Sequence, residues 1–185
     1  DRLVLDDFRL RAAIESAGVI LPGILEFSYL LVYAVGPFGL LVLYLLRRQS
    51  CTSRFLLVYL TGTLGAYALF PYFPSEPPRA VFPGLDLPAI TTAIREMNLR
   101  IVGGYGIHSS VFPSAHVSSA FSAAWGLLVS VPREKRWIAG AMAGYATLVA
   151  IATVYGRYHY AVDAVAGFAV SLVALGVAFR FAPKR

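Results

Sequence analysis

One cysteine, Cys51, in 185 residues means that no intrachain disulfide can form, and the thiol reads as a boundary residue on the cytoplasmic side. Charge is also scarce. Asp, Glu, Lys and Arg make up 14% of the chain against 58% hydrophobic residues, and mean hydropathy is +0.67. Too little polar surface is available to clothe a soluble globule, so the chain reads as a single integral membrane domain over residues 1–185. The opening residues lack the basic-then-apolar pattern of a signal peptide, and the chain starts at Asp1, from which an upstream segment is expected to have been trimmed. There is no internal repeat and no low-complexity tract. The Gly103-Gly104-Tyr105-Gly106 string follows no strand and precedes no Gly-Lys-Ser/Thr, which excludes a nucleotide loop. No two histidines have helical ligand spacing and no cysteine lies near them, so neither a metal nor another cofactor is expected.

What is abundant is apolar sequence in lengths that cross a bilayer, roughly 20 helical residues per crossing. Spans are expected at about 24–46, 55–73, 112–131, 137–155 and 159–179, giving an all-α polytopic bundle with about five spanning helices. Pro37 should kink the first of them. Residues 1–21 mix Asp6, Asp7, Arg9, Arg11 and Glu15 with apolar residues on no single face, which suits an interfacial or packed helix. Residues 74–110 form the one long polar connection. Its prolines keep the first half irregular, while 91–102 could make a short surface helix. Residues 112–179 hold the candidate catalytic helices.

A net charge of +6 would suggest nucleic acid in a soluble protein, but here membrane topology explains it and no nucleic-acid partner is expected. Nine of the sixteen basic residues fall in three short segments: Arg47, Arg48, Arg54; Arg133, Lys135, Arg136; and Arg180, Lys184, Arg185. Such clusters beside spans mark the cytoplasmic side. The C-terminus is then cytoplasmic, and the 74–110 connection faces outward.

Two strings near that outer face carry chemistry. In Pro113-Ser114-Ala115-His116, Pro113 suits a first helical turn, Ser109, Ser110 or Ser114 can cap it, and His116 then sits where free N–H groups and the helix dipole favour phosphate. His116 could there protonate a departing oxygen, or simply cap a helix at the interface. In Arg157-Tyr158-His159-Tyr160-Ala161-Val162-Asp163, the i,i+4 spacing lets Asp163 reach one nitrogen of His159 and leave the other as a nucleophile. A plain helix-start ion pair is the alternative. His159 lies 43 residues after His116, one crossing out and one back, so both return to one leaflet. Arg157, Arg79 and Arg100 are candidates to hold phosphate oxygens, in that order, because guanidinium forks match an equatorial oxygen set. Gly156 gives the chain room to turn. Glu26 reads as a headgroup-level residue, with pairing to one of these arginines as the other possibility. His108 would stand on a flexible lip.

These residues resemble the type 2 phosphatidic acid phosphatase superfamily over roughly 70–170. Pro113-Ser114-Ala115-His116 is similar to the family's Pro-Ser-Gly-His motif, with Ala115 for Gly. His159 and Asp163 match its third motif, although Thr153 stands where an Arg is usual. The first motif, Lys with six residues before Arg-Pro, has no full counterpart, since the only lysines are Lys135 and Lys184; Arg79 after Pro77-Pro78 is the nearest substitute. The departures look similar to the branch containing inositol phosphorylceramide synthases. The resemblance implies attack by His159 on phosphorus to give a phosphohistidine, Asp163 supporting the charged ring, His116 as acid and then base, and phosphate held by Arg157, Arg79, Ser114, Ala115 and Arg100. It also implies six spans, one more than this chain supplies, so that an upstream helix is expected to be missing.

The resulting expectation is a metal-independent membrane lipid phosphatase for a phosphomonoester or pyrophosphate, in contact with membrane lipids and of open oligomeric state. The alternative is a phosphotransferase moving a phospho-headgroup to an alcohol. A proton-coupled carrier fits less well, because the titratable groups sit at span ends and not at the midplane. A serine protease built on Ser114 lacks a Gly-x-Ser-Gly string.

Overall fold

The structure is a computed structural model that describes residues 1, 3–106 and 110–181; His108 and Ser109 lie outside the described residues. Among those described, every regular element is helical. The architecture is an all-α bundle.

A π-helical turn, Leu3–Asp7, and α1, Leu10–Glu15, open the chain and bury Leu5 and Ile14. Leu5 packs with Val117, Val154 and Ala164, so the opening segment lies against the bundle. Next come α2, Ile20–Leu31, a 3-10 turn Val32–Ala34, and α3, Val35–Leu45. The irregular turn falls directly before Pro37. Proline has no N–H for the carbonyl of Tyr33 four residues earlier, so the ladder tightens there and resumes as α3. The helix α4, Thr52–Leu69, returns across the bundle.

The polar connection holds the short α5, Pro78–Val81, and α6, Ala93–Tyr105. Thr92 caps α6 by accepting from the Arg95 N–H at 3.1 Å. The expected surface helix is more than that. Arg95, Asn98 and Val102, at i, i+3 and i+7, form a buried face against α2.

The last three helices are α7, Ala115–Ser130, α8, Arg136–Tyr155, and α9, Ala161–Phe181. Among the described residues, four stretches are long and apolar enough to cross a bilayer: Ile20–Leu45, Gln49–Tyr72, Arg133–Tyr155 and Ala161–Arg180. These mark an integral membrane protein. The third expected span, 112–131, holds α7, which is shorter at 16 residues and is enclosed by α4, α8 and α9. Its Ser118, Ser119, Ala120, Ser122, Ala123, Ala124 and Gly126 are small, which lets neighbouring backbones approach closely, and the Ser118 hydroxyl donates to the Gly62 carbonyl at 2.8 Å. The apolar core, including Val35, Phe55, Leu127, Met142 and Val149, wraps this helix.

Candidate active site

The N-terminus of α7 and the start of α9 meet at one end of the bundle. Ser114 is the N-cap of α7, accepting from the Val117 N–H at 3.4 Å. Pro113 therefore stands one residue ahead of the cap, not in the first turn. The Ser114 N–H donates to the Asp163 carbonyl at 2.9 Å, which stitches the two helix starts together. Gly167 makes this approach possible, because a Cβ there would collide with the Ser114 carbonyl oxygen.

The turn that delivers His159 has a defined geometry. α8 ends with the Tyr158 N–H donating to the Thr153 carbonyl at 2.9 Å and the Arg157 N–H to the Val154 carbonyl at 3.1 Å, with Arg157 left-handed at φ 62°. This is a Schellman closure with arginine where glycine is usual. The left-handed residue is thus Arg157, whereas Gly156 has an ordinary φ of −71°. Gly156 is needed for space: a Cβ would strike the Tyr158 ring. The His159 N–H also reaches the Thr153 carbonyl, at 3.0 Å.

Within this frame His159 Nε2 lies 3.4 Å from His116 Nδ1, and His159 Nδ1 lies 3.5 Å from Asp163 Oδ2. The latter is close enough for charge attraction but makes no aligned hydrogen bond. The same Asp163 Oδ2 accepts the Tyr160 N–H at 2.8 Å, the return leg of a capping box at the start of α9. His116 is held on two further sides. Its ring stacks on Tyr29 with centroids 4.9 Å apart, and Nε2 is 3.3 Å from the Tyr33 hydroxyl.

Beside the two rings is a cavity of about 220 Å³ whose lining includes Tyr29, Tyr33, Arg79, Ala115, His116, Tyr158 and His159. Arg79 projects from α5 in the 74–110 connection, half-buried, with its guanidinium 5.4 Å from the Tyr158 ring centre and Nη1 donating to the Tyr158 carbonyl at 3.4 Å. Burial lowers the Arg79 pKa from its ordinary value, the nearby tyrosines oppose that shift, and the group stays cationic. Burial first and Glu26 second push the Tyr158 phenol upward, so it stays a neutral donor.

The other candidate arginines are placed differently. Arg157, 4% exposed, pairs with Asp1 at 2.7 Å and does not line the cavity; the second Asp1 oxygen accepts the Ala161 N–H at 2.8 Å. Arg100 is exposed on α6, away from the lining. Ser114 has its hydroxyl committed to the cap, while Ala115 lines the cavity. Glu26 is 2% exposed and paired with Arg95 at 2.8 Å, so it is a buried partner and not a headgroup-level residue; its arginine is none of the three considered from sequence. Tyr29, Tyr33, Tyr158 and Arg95 were missed by the motif reading. Glu26, Tyr29 and Tyr33 at i, i+3 and i+7 did offer a signal: three polar-tipped residues on one face of an apolar helix. Among the described residues no three His, Cys, Asp or Glu side chains converge as a metal-holding group.

No curated protein matches the chain in sequence. Among solved structures, the crystal structure of Aquifex aeolicus LpxE is similar in fold, with a TM-score of 0.68 over 94% of each chain at 18% identity. The family model described as the PAP2 superfamily matches residues 8–177, nearly the whole bundle with both histidine motifs inside it, and the chain belongs to that superfamily.

Proposed function

We propose that this protein is a membrane lipid phosphatase that hydrolyses a lipid phosphomonoester or pyrophosphate through a phosphohistidine. The observation that carries the reading is the 3.4 Å approach of His159 Nε2 to His116 Nδ1 beside a cavity supplied with a cation by Arg79, inside an apolar bundle. Membership of the PAP2 superfamily and a fold like that of LpxE support it.

The phosphoryl group comes in from the cavity and parts the two rings. Its oxygens are held by Arg79 and by the first N–H groups of α7 at Ala115 and His116, where the helix dipole adds to the attraction. Asp163 fixes Nδ1 of His159 as the protonated nitrogen, so the Nε2 lone pair attacks phosphorus. A P–N bond forms and the bond from phosphorus to the lipid oxygen breaks, with His116 passing its proton to that oxygen. In the second half His116 takes a proton from water, the water oxygen attacks phosphorus, and the P–N bond breaks to release phosphate. Asp163 stabilises the imidazolium while it lasts.

The test uses purified protein in detergent with a panel of lipid phosphates and pyrophosphates and a chelator present. Wild type is expected to release inorganic phosphate, and His159→Ala to fall to background while keeping its elution profile and melting temperature. Full activity in His159→Ala defeats the mechanism. A new phosphodiester formed without phosphate release replaces hydrolysis by headgroup transfer.

A further inference from the structure

Behind Tyr158 the bundle buries an ionic cluster that has no part in the chemistry above. Glu26 accepts from Arg95 Nη1, Asn98 Nδ2 and the Tyr158 hydroxyl, each at 2.8 Å. Arg95, 5% exposed, donates with Nη2 to the Gly156 carbonyl at 3.2 Å, and its guanidinium stands 5.7 Å from the Tyr158 ring centre. Three segments far apart in sequence, α2, α6 and the turn leading to His159, therefore converge on one guanidinium.

Such a cluster is a poor device for stability, since a well-packed apolar replacement of a buried ion pair is often neutral or better. It is a good device for direction. The Gly156 carbonyl is one of the acceptors left open at the end of α8, and a planar two-pronged donor fixes its orientation better than water does. Tyr158, tied to Glu26 through its hydroxyl, stacks on Tyr29 with centroids 4.1 Å apart and planes 10° off parallel, and Tyr29 stacks in turn on His116. The same guanidinium thus holds the turn that presents His159 and, through two rings, the wall on which His116 rests.

We propose that Arg95 is a positioning residue: the docking of α6 through Arg95 sets the geometry between His159 and His116, which makes the outer connection part of the catalytic scaffold. This rests on the phosphatase reading given above. Arg95 does not line the cavity, whereas Arg79 does, so it acts through Glu26 and Gly156 and not on the phosphate.

The experiment compares Arg95→Met, Arg95→Lys and Tyr158→Phe with wild type in detergent. Displacement of reacting groups by about 1 Å costs on the order of a hundredfold in rate, so Arg95→Met is expected to lower kcat by about tenfold to a hundredfold. KM and competitive inhibition by inorganic phosphate should stay within about twofold, because ground-state binding is untouched. Arg95→Lys, which keeps the charge beside Glu26 but not the fork to Gly156, falls between. Hydrogen exchange of segment 156–160 should quicken in Arg95→Met while α7 stays as protected as in wild type, and this readout needs no turnover. Unchanged kcat with unchanged exchange overturns the proposal. So does a rise in KM and in the inhibition constant of inorganic phosphate at constant kcat, which would put Arg95 on the phosphate. If Arg95→Met does not fold, Tyr158→Phe carries the same test: lower kcat at constant KM supports the proposal and wild-type kcat overturns it. A wild type that releases no phosphate from any lipid defeats the phosphatase reading alone, because the exchange result still decides the role of Arg95.

Discussion

On the proposed reading Arg79 is the charged residue that holds phosphate in the described cavity, and its position separates it from the other arginines near that end of the bundle. It lines the same cavity as the two histidine rings, while Arg157 is tied to Asp1 and Arg100 is exposed. Hydrogen bonds to charged groups contribute about 1.5–3 kcal/mol, so Arg79→Met should raise KM and weaken vanadate inhibition by about tenfold to a hundredfold, with melting temperature preserved. Arg100→Met, measured alongside, should change neither constant. Equal effects of the two substitutions would show that the cavity is not where phosphate binds. What the sequence offered at this scale was uneven. His116, His159 and Asp163 were legible because their spacing alone, i,i+4 for one pair and two crossings for the other, brings them to one place. The arginines were not, because spacing says nothing about partners. Arg157 meets an aspartate 156 residues away, and Arg95 meets a glutamate 69 residues away. Proximity to His159 in sequence favoured Arg157, yet the left-handed turn it occupies sends its side chain to Asp1.

Among the elements, α7 decides the arrangement. Hydropathy alone makes it one span among five, but its run of serine, alanine and glycine is the mark of a helix surrounded by other helices. The contact that matters most to the site is its crossing with α9 at Gly167, beneath the bond from the Ser114 N–H to the Asp163 carbonyl. A methyl group at Gly167 has no room, and the neighbour it would strike is backbone, which cannot rotate aside. Overpacking of this kind costs about 1–3 kcal/mol, so Gly167→Ala should lower the melting temperature in detergent and reduce kcat by parting the starts of α7 and α9. Gly140→Ala on α8 is the control, since nothing lies near a Cβ there and helix propensity favours alanine. Should Gly167→Ala leave both stability and kcat at wild-type values, the two helix starts are not held together in the way described. Pro37 shows the same division between what sequence reveals and what it does not. A break in the first long helix just ahead of Pro37 was legible from the proline, but the placing of Tyr33 against His116 depends on tertiary packing.

At the scale of the whole molecule, the bundle has two chemically distinct ends. One carries the cavity, α5 and α6; the other carries Arg47 and Arg48 between α3 and α4, and the turn Arg133–Lys135 leading into α8. Basic residues in short loops are retained on the cytoplasmic side, so the cavity end is expected to face outward, toward the opposite leaflet. Cys51 is the sole cysteine, which makes the question experimentally clean. In a Cys51→Ser background, a cysteine placed at the exposed Arg100 on α6 and another at the exposed Glu134 in the basic turn report on the two ends separately. A membrane-impermeant maleimide added to intact cells should label Arg100→Cys and leave Glu134→Cys unlabelled until the membrane is opened. The reverse pattern would turn the active site to the cytoplasm and make its substrate a lipid of the inner leaflet. Labelling of both without opening the membrane would mean that the helices from α4 to α8 do not separate these residues by a bilayer. The catalytic reading would survive that result, because the distances among His116, His159 and Asp163 are set inside the bundle and do not depend on which compartment the cavity faces.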